Sequence, residues 1–433
     1  MKKIISFLGT TLYQECFYAK GEFKARLSRF VQTALFELLR QEGEEIDKVY
    51  IFLTEEAEER NYYDYYDAHK EKHYKGLKRV WQELFPEHVH RLIPVSMKSG
   101  QQEHEQWELF EQIYNLIEDG DELYFDITHS YRSNPVIALI ISNFARIMKN
   151  ASIKRLLYGN FEALGPAPLV KDMAVEKRVA PIVDITSMVE LLDWTVAVDS
   201  FLRTGNPVQI AALSREKVKT NNQDPDYKLV NALAQQLSEL NNTLVTCRGQ
   251  HYAKEIDKTI KRIREIEELD GTKLPQFSKL VDKMNEKVGL FSGRETDKMS
   301  EADKMWGSLV WCYEHGLYQQ CLTLLREHIL TIISQKVGID TLDDRKREAI
   351  STIILKTIKQ DLTIDLLGDN KNLVLPVQET LHNHPELAVY AKIADYRNDI
   401  NHASMKKEPI KYRKIIEGIG EMLNKIKPFF QHN

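Results

Sequence analysis

Only four cysteines occur in the 433 residues, Cys16, Cys247, Cys312 and Cys321, and no two of them form a C-x-x-C pair. Their scatter excludes a disulfide framework and a cysteine-based zinc site, and a reducing cytoplasm is the expected setting. Long apolar runs are missing as well. The stretch from Val136 to Ile141 is soon interrupted by Asn143 and Arg146, far short of the roughly 20 residues of a membrane helix, so no membrane partner is expected. The run Ile4-Ile5-Ser6-Phe7-Leu8 after Met1-Lys2-Lys3 is too short for a secretory signal and has no small-residue cleavage site behind it. Neither G-x-G-x-x-G nor a Walker A sequence is present, which disfavours a nicotinamide or flavin dinucleotide and a P-loop nucleotide. Repeats and low-complexity tracts are absent. Positive charge is not in excess: 59 Lys and Arg stand against 64 Asp and Glu, for a net charge of -5. That argues against a general nucleic-acid coat but permits a local basic groove, for which Lys406, Lys407, Lys411, Arg413 and Lys414 are candidates.

What the chain does contain is a change of pattern near its middle. Up to about residue 180, short apolar runs alternate with helical periodicity. Strands are expected at Lys3–Leu8, Lys48–Leu53, Val89–Pro94, Glu122–Asp126 and Lys154–Tyr158, and helices at Phe23–Gln41, Tyr74–Leu84, Glu105–Ile117 and Pro135–Lys149. Apolar strands separated by helices indicate a doubly wound, Rossmann-like α/β domain with a parallel sheet. From Pro181 onward the strand signal disappears and the chain reads as all-α, with helices at Asp184–Leu202, within the charged Arg215–Glu268 stretch, and at Lys304–Lys336, Lys346–Gln360, Leu387–Tyr396 and Tyr412–Lys427. Three regions are expected: an α/β domain over 1–180, a helical linker region over 181–290, and a helical domain over 291–433. Tyr62, Tyr63, Tyr65 and Tyr66 read as a partly buried helix face, with base stacking as the alternative.

In an open α/β sheet, ligands bind beyond the carboxyl ends of the strands. Here those ends carry Gly9-Thr10-Thr11, Thr54, Thr128-His129-Ser130-Tyr131-Arg132 and Gly159-Asn160. Gly9 permits close backbone approach, hydroxyls and amides suit phosphate oxygens, and Arg132 supplies a fork of donors. An oligonucleotide-like ligand lying across several strand ends fits this set. Far downstream, Arg397-Asn398-Asp399-Ile400-Asn401-His402 pairs a permanent cation with a side chain suited to proton transfer near neutral pH. Together they could cleave RNA through its own 2′-OH without a metal.

Two motifs carry a family resemblance. Asp126-Ile127-Thr128-His129-Ser130-Tyr131-Arg132 resembles the D-x-T-H-G-x-R pattern of the CARF domain of CRISPR-associated type III proteins, with Ser130 where the pattern has Gly. Phe7-Leu8-Gly9-Thr10, Tyr158-Gly159-Asn160-Phe161-Glu162-Ala163 and Asp184-Ile185-Thr186 agree with it. The R-N-x-x-x-H from Arg397 to His402 resembles the catalytic motif of HEPN ribonuclease domains, which would place that domain in 291–433. The resemblance implies no cofactor, a cyclic oligoadenylate as activating ligand, single-stranded RNA as substrate, and a homodimer or higher even oligomer with a composite site on the two-fold axis. The expected ligand residues, from the strand ends and the motif together, are Gly9, Thr10, Thr11, Thr54, Thr128, His129, Ser130, Arg132 and Gly159. The catalytic set is Arg397 to stabilise the phosphorane, Asn398 to orient the phosphate and His402 as general acid or base. The alternatives are a non-catalytic sensor that binds a partner, ligand breakdown by Thr10, Thr11 or Ser130, and a metal nuclease using the His69/His73, His88/His90 or His382/His384 pairs.

Overall fold

The computed structural model describes residues 1–129, 134–220, 224–268, 275–289 and 300–431. They divide into two compact units, Met1–Leu192 and Asp193–Asn433.

The first unit is built on strands β1 (Lys2–Leu8), β2 (Phe17–Lys20), β3 (Phe23–Lys24), β4 (Lys48–Leu53), β5 (Tyr65–Asp67), β6 (Lys72–Tyr74), β7 (Leu92–Ser96), β8 (Glu122–Asp126), β9 (Ser152–Gly159) and β10 (Val179–Asp184). Eight of them form one sheet in the order β3-β2-β10-β9-β8-β1-β4-β7, and β5 and β6 form a separate hairpin. The run β7-β4-β1-β8-β9 is parallel throughout. Alternation along β1 sends Ile4 and Leu8 into the core with the helix Val31–Gln41, and Ile5 and Phe7 into the core with the helices Glu103–Leu116 and Asn134–Lys149. Burial on both faces is why these strands read as unbroken apolar runs. Crossovers leave β1 in both directions, to β4 on one side and β8 on the other, so the switch point of the sheet lies between the carboxyl ends of β1 and β8.

Several expectations require correction. Strand structure continues past Pro181: β10 pairs antiparallel with β9 and parallel with β2. The stretch expected as one helix from Phe23 begins with β3 and becomes helical only at Val31. Pro86 opens a 3-10 segment over Pro86–Arg91, which moves the third parallel strand to Leu92–Ser96. Tyr65 and Tyr66 lie in the hairpin strand β5, not on a helix.

The second unit is helical among the described residues, and one hydrophobic core runs from Trp194 to Phe430. The expected helix Lys304–Lys336 is two helices, Glu301–Glu314 and Tyr318–Lys336, separated where Gly316 adopts φ 72°, a conformation glycine enters without strain.

Inside this core His328 is 2% exposed and shares a hydrogen bond with Ser308 Oγ at 3.1 Å. Burial depresses its pKa from 6.5 to about 3, with the nearby Arg347 charge adding to the effect. The folded protein therefore refuses a proton that the unfolded chain accepts. The stability held by the neutral ring is complete above the unfolded pKa and declines as pH falls from about 6.5 towards 3, by up to ~1.4 kcal/mol per pH unit. His328→Gln should lose roughly 2 kcal/mol less stability than the parent between pH 6.5 and 5, measured by denaturant unfolding at both pH values. Equal losses in the two proteins would show that His328 is not the acid-sensitive group.

Candidate functional site

Where β1, β4 and β8 end, the first unit contains a cleft of about 450 Å³ lined by Gly9, Thr10, Thr11, Tyr13, Thr54, Thr128, His129, Phe161 and Glu162, among others. It sits at the switch point of the sheet. Six of the residues expected from sequence to bind ligand therefore share one cavity. Gly159 ends β9 beside it, and Ser130 and Arg132 lie outside the described residues.

The base of the cleft is a buried hydrogen-bond network. Asp126, 1% exposed, accepts from Ser6 Oγ at 2.6 Å and from the Thr128 backbone N–H at 2.9 Å. The Thr128 hydroxyl also donates to Asp126, and it accepts from Gly159 N–H at 2.8 Å. Thr128 thus ties the end of β8 to the end of β9. Burial raises the Asp126 pKa, opposed by the bonds from Ser6 and Thr128. The same device recurs at Asp184-Ile185-Thr186, where the Thr186 hydroxyl donates to Asp184 and accepts from Leu156 N–H at 2.9 Å. A Cβ on Gly159 would lie 2.6 Å from Val31 Cγ2, so that glycine is required by packing. The Thr54 hydroxyl is engaged as a helix N-cap, accepting from Ala57 N–H at 3.3 Å.

Three important residues escaped the sequence reading. Tyr13 stacks on His129, with ring centroids 4.1 Å apart and planes 19° from parallel, and its hydroxyl accepts from Gly9 N–H at 2.7 Å. A Cβ on Gly9 would lie 2.8 Å from that hydroxyl oxygen, so Gly9 makes room for Tyr13. Burial lowers the His129 pKa to about 4 and raises that of the Tyr13 phenol, so this pair is uncharged at neutral pH. Asn61 Nδ2 donates to the carbonyls of Gly9 and Thr11 at 2.8 and 2.9 Å, and Asn61 Oδ1 accepts from the buried Arg29 at 2.8 Å. Asn61 and Arg29 hold the loop after β1 in shape. Their remoteness in sequence left no local signal; only the Tyr four residues after Gly9 was within reach of a pattern.

In the second unit, the helix Tyr390–Asn401 carries Arg397, Asn398 and, as its C-cap, His402. Arg397 is half-buried and its Nε has no hydrogen-bond partner. His402 is exposed and its N–H donates to Asn398 O at 3.0 Å. The helix is regular to Asn401, so side chains five residues apart diverge by ~140°, and no hydrogen bond joins Arg397 to His402 among the described residues. The buried Asp399 between them binds the turn that follows. No three His, Cys, Asp or Glu side chains converge as a metal-ligand set among the described residues.

With both regions located, comparison with known proteins gives them context. The CARF-domain family of CRISPR system endoribonuclease Csx1 matches residues 3–162, and the second domain of CRISPR-associated protein MJ1674 matches residues 190–290. CRISPR-associated protein MJ1674 of Methanocaldococcus jannaschii is 26% identical over 263 residues, an alignment covering 58% of this chain and 37% of that relative's length. The cleft at the sheet's switch point falls within the first match. Residues 3–162 match a CARF domain, and the two similarities together support a CRISPR-associated CARF protein.

Proposed function

We propose that the chain is a cyclic-oligoadenylate-activated, metal-independent endoribonuclease of CRISPR type III antiviral defence, acting as a homodimer on single-stranded RNA. The observation that carries this reading is the cleft of the CARF unit, with its loop Gly9-Thr10-Thr11, its Tyr13–His129 stack and Thr128 gathered at one switch point. The loop's hydroxyls and amides suit phosphate oxygens. The neutral aromatic pair offers a π-face to a base. Glu162 at the wall can accept from an exocyclic amine such as that of adenine. A cavity of about 450 Å³ suits part of a nucleotide ring, which fits sharing one ring between two subunits.

An exposed apolar face supports the dimer. On the helix Asn134–Lys149, Val136, Ile140, Phe144, Ile147 and Met148 are exposed while Ile141 and Ala145 are buried. This helix is apolar on both sides, and such helices are normally covered on both. With Trp107 beside Phe110, which packs on Phe144, the face offers on the order of 700 Å², close to the ~800 Å² per partner of a standard interface.

Cleavage proceeds by attack of the 2′-OH on the adjacent phosphorus with departure of the 5′-oxygen, leaving a 2′,3′-cyclic phosphate and a 5′-OH. His402 serves as general acid or base, Arg397 stabilises the phosphorane and Asn398 orients the phosphate. The divergence of Arg397 and His402 along a regular helix favours a site composed across the two-fold axis. The test incubates the protein and labelled RNA with cyclic oligoadenylates of different ring size, with and without EDTA, followed by end-group analysis. The expected result is cleavage with one ring size, undiminished by chelation. No cleavage with any ring would indicate a non-catalytic sensor, and loss in EDTA restored by Mg²⁺ or Mn²⁺ a metal nuclease.

A further inference from the structure

The turn after His402 is pinned from beneath by Asp399. That carboxylate accepts from Ser404 Oγ at 2.9 Å and Ile410 N–H at 3.3 Å and pairs with Lys406 Nζ at 2.6 Å, while Ser404 N–H bonds the Asp399 carbonyl at 2.8 Å. Ala403 and Ser404 hold φ values of 51° and 56° to make the reversal. On this fixed turn and the start of the last helix stand Lys407, Lys411, Arg413 and Lys414, all exposed, against the single acid Glu408. Lys406 is neutralised by Asp399, whereas Lys407, Lys411 and Lys414 have no ion pair among the described residues. Tyr412 is 68% exposed, and Arg413 Nε donates to its hydroxyl at 3.2 Å. Met405, 86% exposed, stands on the same turn.

From this arrangement we propose that residues 403–414 form a lip that binds single-stranded nucleic acid, with the three free lysines on successive phosphates and Tyr412 stacking on an unpaired base. Unpaired cations serve the backbone of any nucleic acid. An exposed ring braced by a guanidinium serves only a base whose face is free. Mounting the lip on Asp399 fixes it to the helix that carries Arg397 and ends at His402, so a bound strand is delivered beside those side chains. The inference rests on the ribonuclease reading for where the scissile bond would lie, but not for the binding chemistry itself.

The test is fluorescence anisotropy of the full chain with a labelled 2′-O-methyl oligouridine, whose blocked 2′-oxygen separates binding from cleavage, across a series of KCl concentrations. Lys407→Gln, Lys411→Gln and Lys414→Gln together should reduce the slope of log affinity against log salt by about 2, at ~0.7 per phosphate contact. Tyr412→Ala should weaken binding at least about fivefold, and Tyr412→Phe, which keeps the ring, should bind as the parent does. An unchanged slope, parental binding by Tyr412→Ala, a duplex of the same sequence bound as tightly, or labelled polyglutamate bound with the same dependence on Tyr412 would each overturn the proposal, the last in favour of an acidic protein partner. A chain that binds the blocked strand in this way but never cuts unblocked RNA overturns the ribonuclease reading alone. A chain that cuts RNA while its lip variants bind normally overturns the lip alone.

Discussion

Replacing Arg397 by alanine should lower the rate of RNA cleavage by about 10²–10³-fold, the loss typical of removing one donor that stabilises a developing oxyanion. His402→Ala should cost about 10²–10⁴-fold, as for other general acids and bases. Binding of cyclic oligoadenylate and the oligomeric state should be unchanged in both. The expectation rests on placement. Arg397 Nε is buried without a partner, so the side chain is committed to no fold-stabilising bond at that atom. His402 is exposed at the helix end, where its removal leaves the core intact. Single-turnover cleavage beside calorimetric titration of the activator reads both quantities. Full activity in either variant would remove the assignment of that residue.

An equally large effect is expected from placing charge on the apolar face of the helix Asn134–Lys149. Ile140 and Ile147 are 55% and 72% exposed, so Ile140→Glu with Ile147→Glu should leave the subunit folded. If that face joins two subunits, the interface would bury four unpaired carboxylates. At a cost of ~4 kcal/mol or more in total, the dissociation constant rises by about 10³-fold. Sedimentation at micromolar concentration should show monomers, and activated RNA cleavage should vanish because a site composed of two chains cannot form. Dimers that persist with parental stability would move the interface elsewhere.

The parts of this architecture that could be read from sequence are those where local pattern and tertiary burial agree. Lys48–Leu53 and Glu122–Asp126 were legible to the residue because strands covered on both faces leave an apolar run with sharp ends. The strands β2, β3 and β10 were not. The first two span four and two residues, and Pro181 inside β10 reads as a strand breaker because it has no amide hydrogen to donate. It is tolerated in β10, where its carbonyl accepts from Asn160 N–H. The same division holds in the cleft. That Gly9, Thr10, Thr11, Thr54, Thr128 and His129 line one cleft was legible because all six follow strand ends. Tyr13 fills the cleft from a loop without periodicity, and Asn61 braces it through contacts 50 residues or more away in sequence. In the helical unit, the motif was visible from residue types, whereas the turn built on Asp399 depends on hydrogen bonds that spacing does not reveal.

The position of β10 governs where the first unit can be cut. It is inserted between β9 and β2, pairing Ile182 with Gly159 on one side and Ala180 with Tyr18 on the other. The edge hairpin of β2 and β3 therefore joins the parallel sheet only through a strand synthesised about 160 residues after it. A fragment stopped at residue 162, where the CARF-domain match ends, would contain the whole run β7-β4-β1-β8-β9 yet leave open edges on both β9 and β2, inviting pairing between chains. A fragment carried through Asp184 closes both edges, and one carried to Leu192 retains Thr186, whose hydroxyl anchors Leu156 of β9. Soluble expression of the isolated first unit should thus depend on its last thirty residues more than on any of the strands that give the fold its appearance.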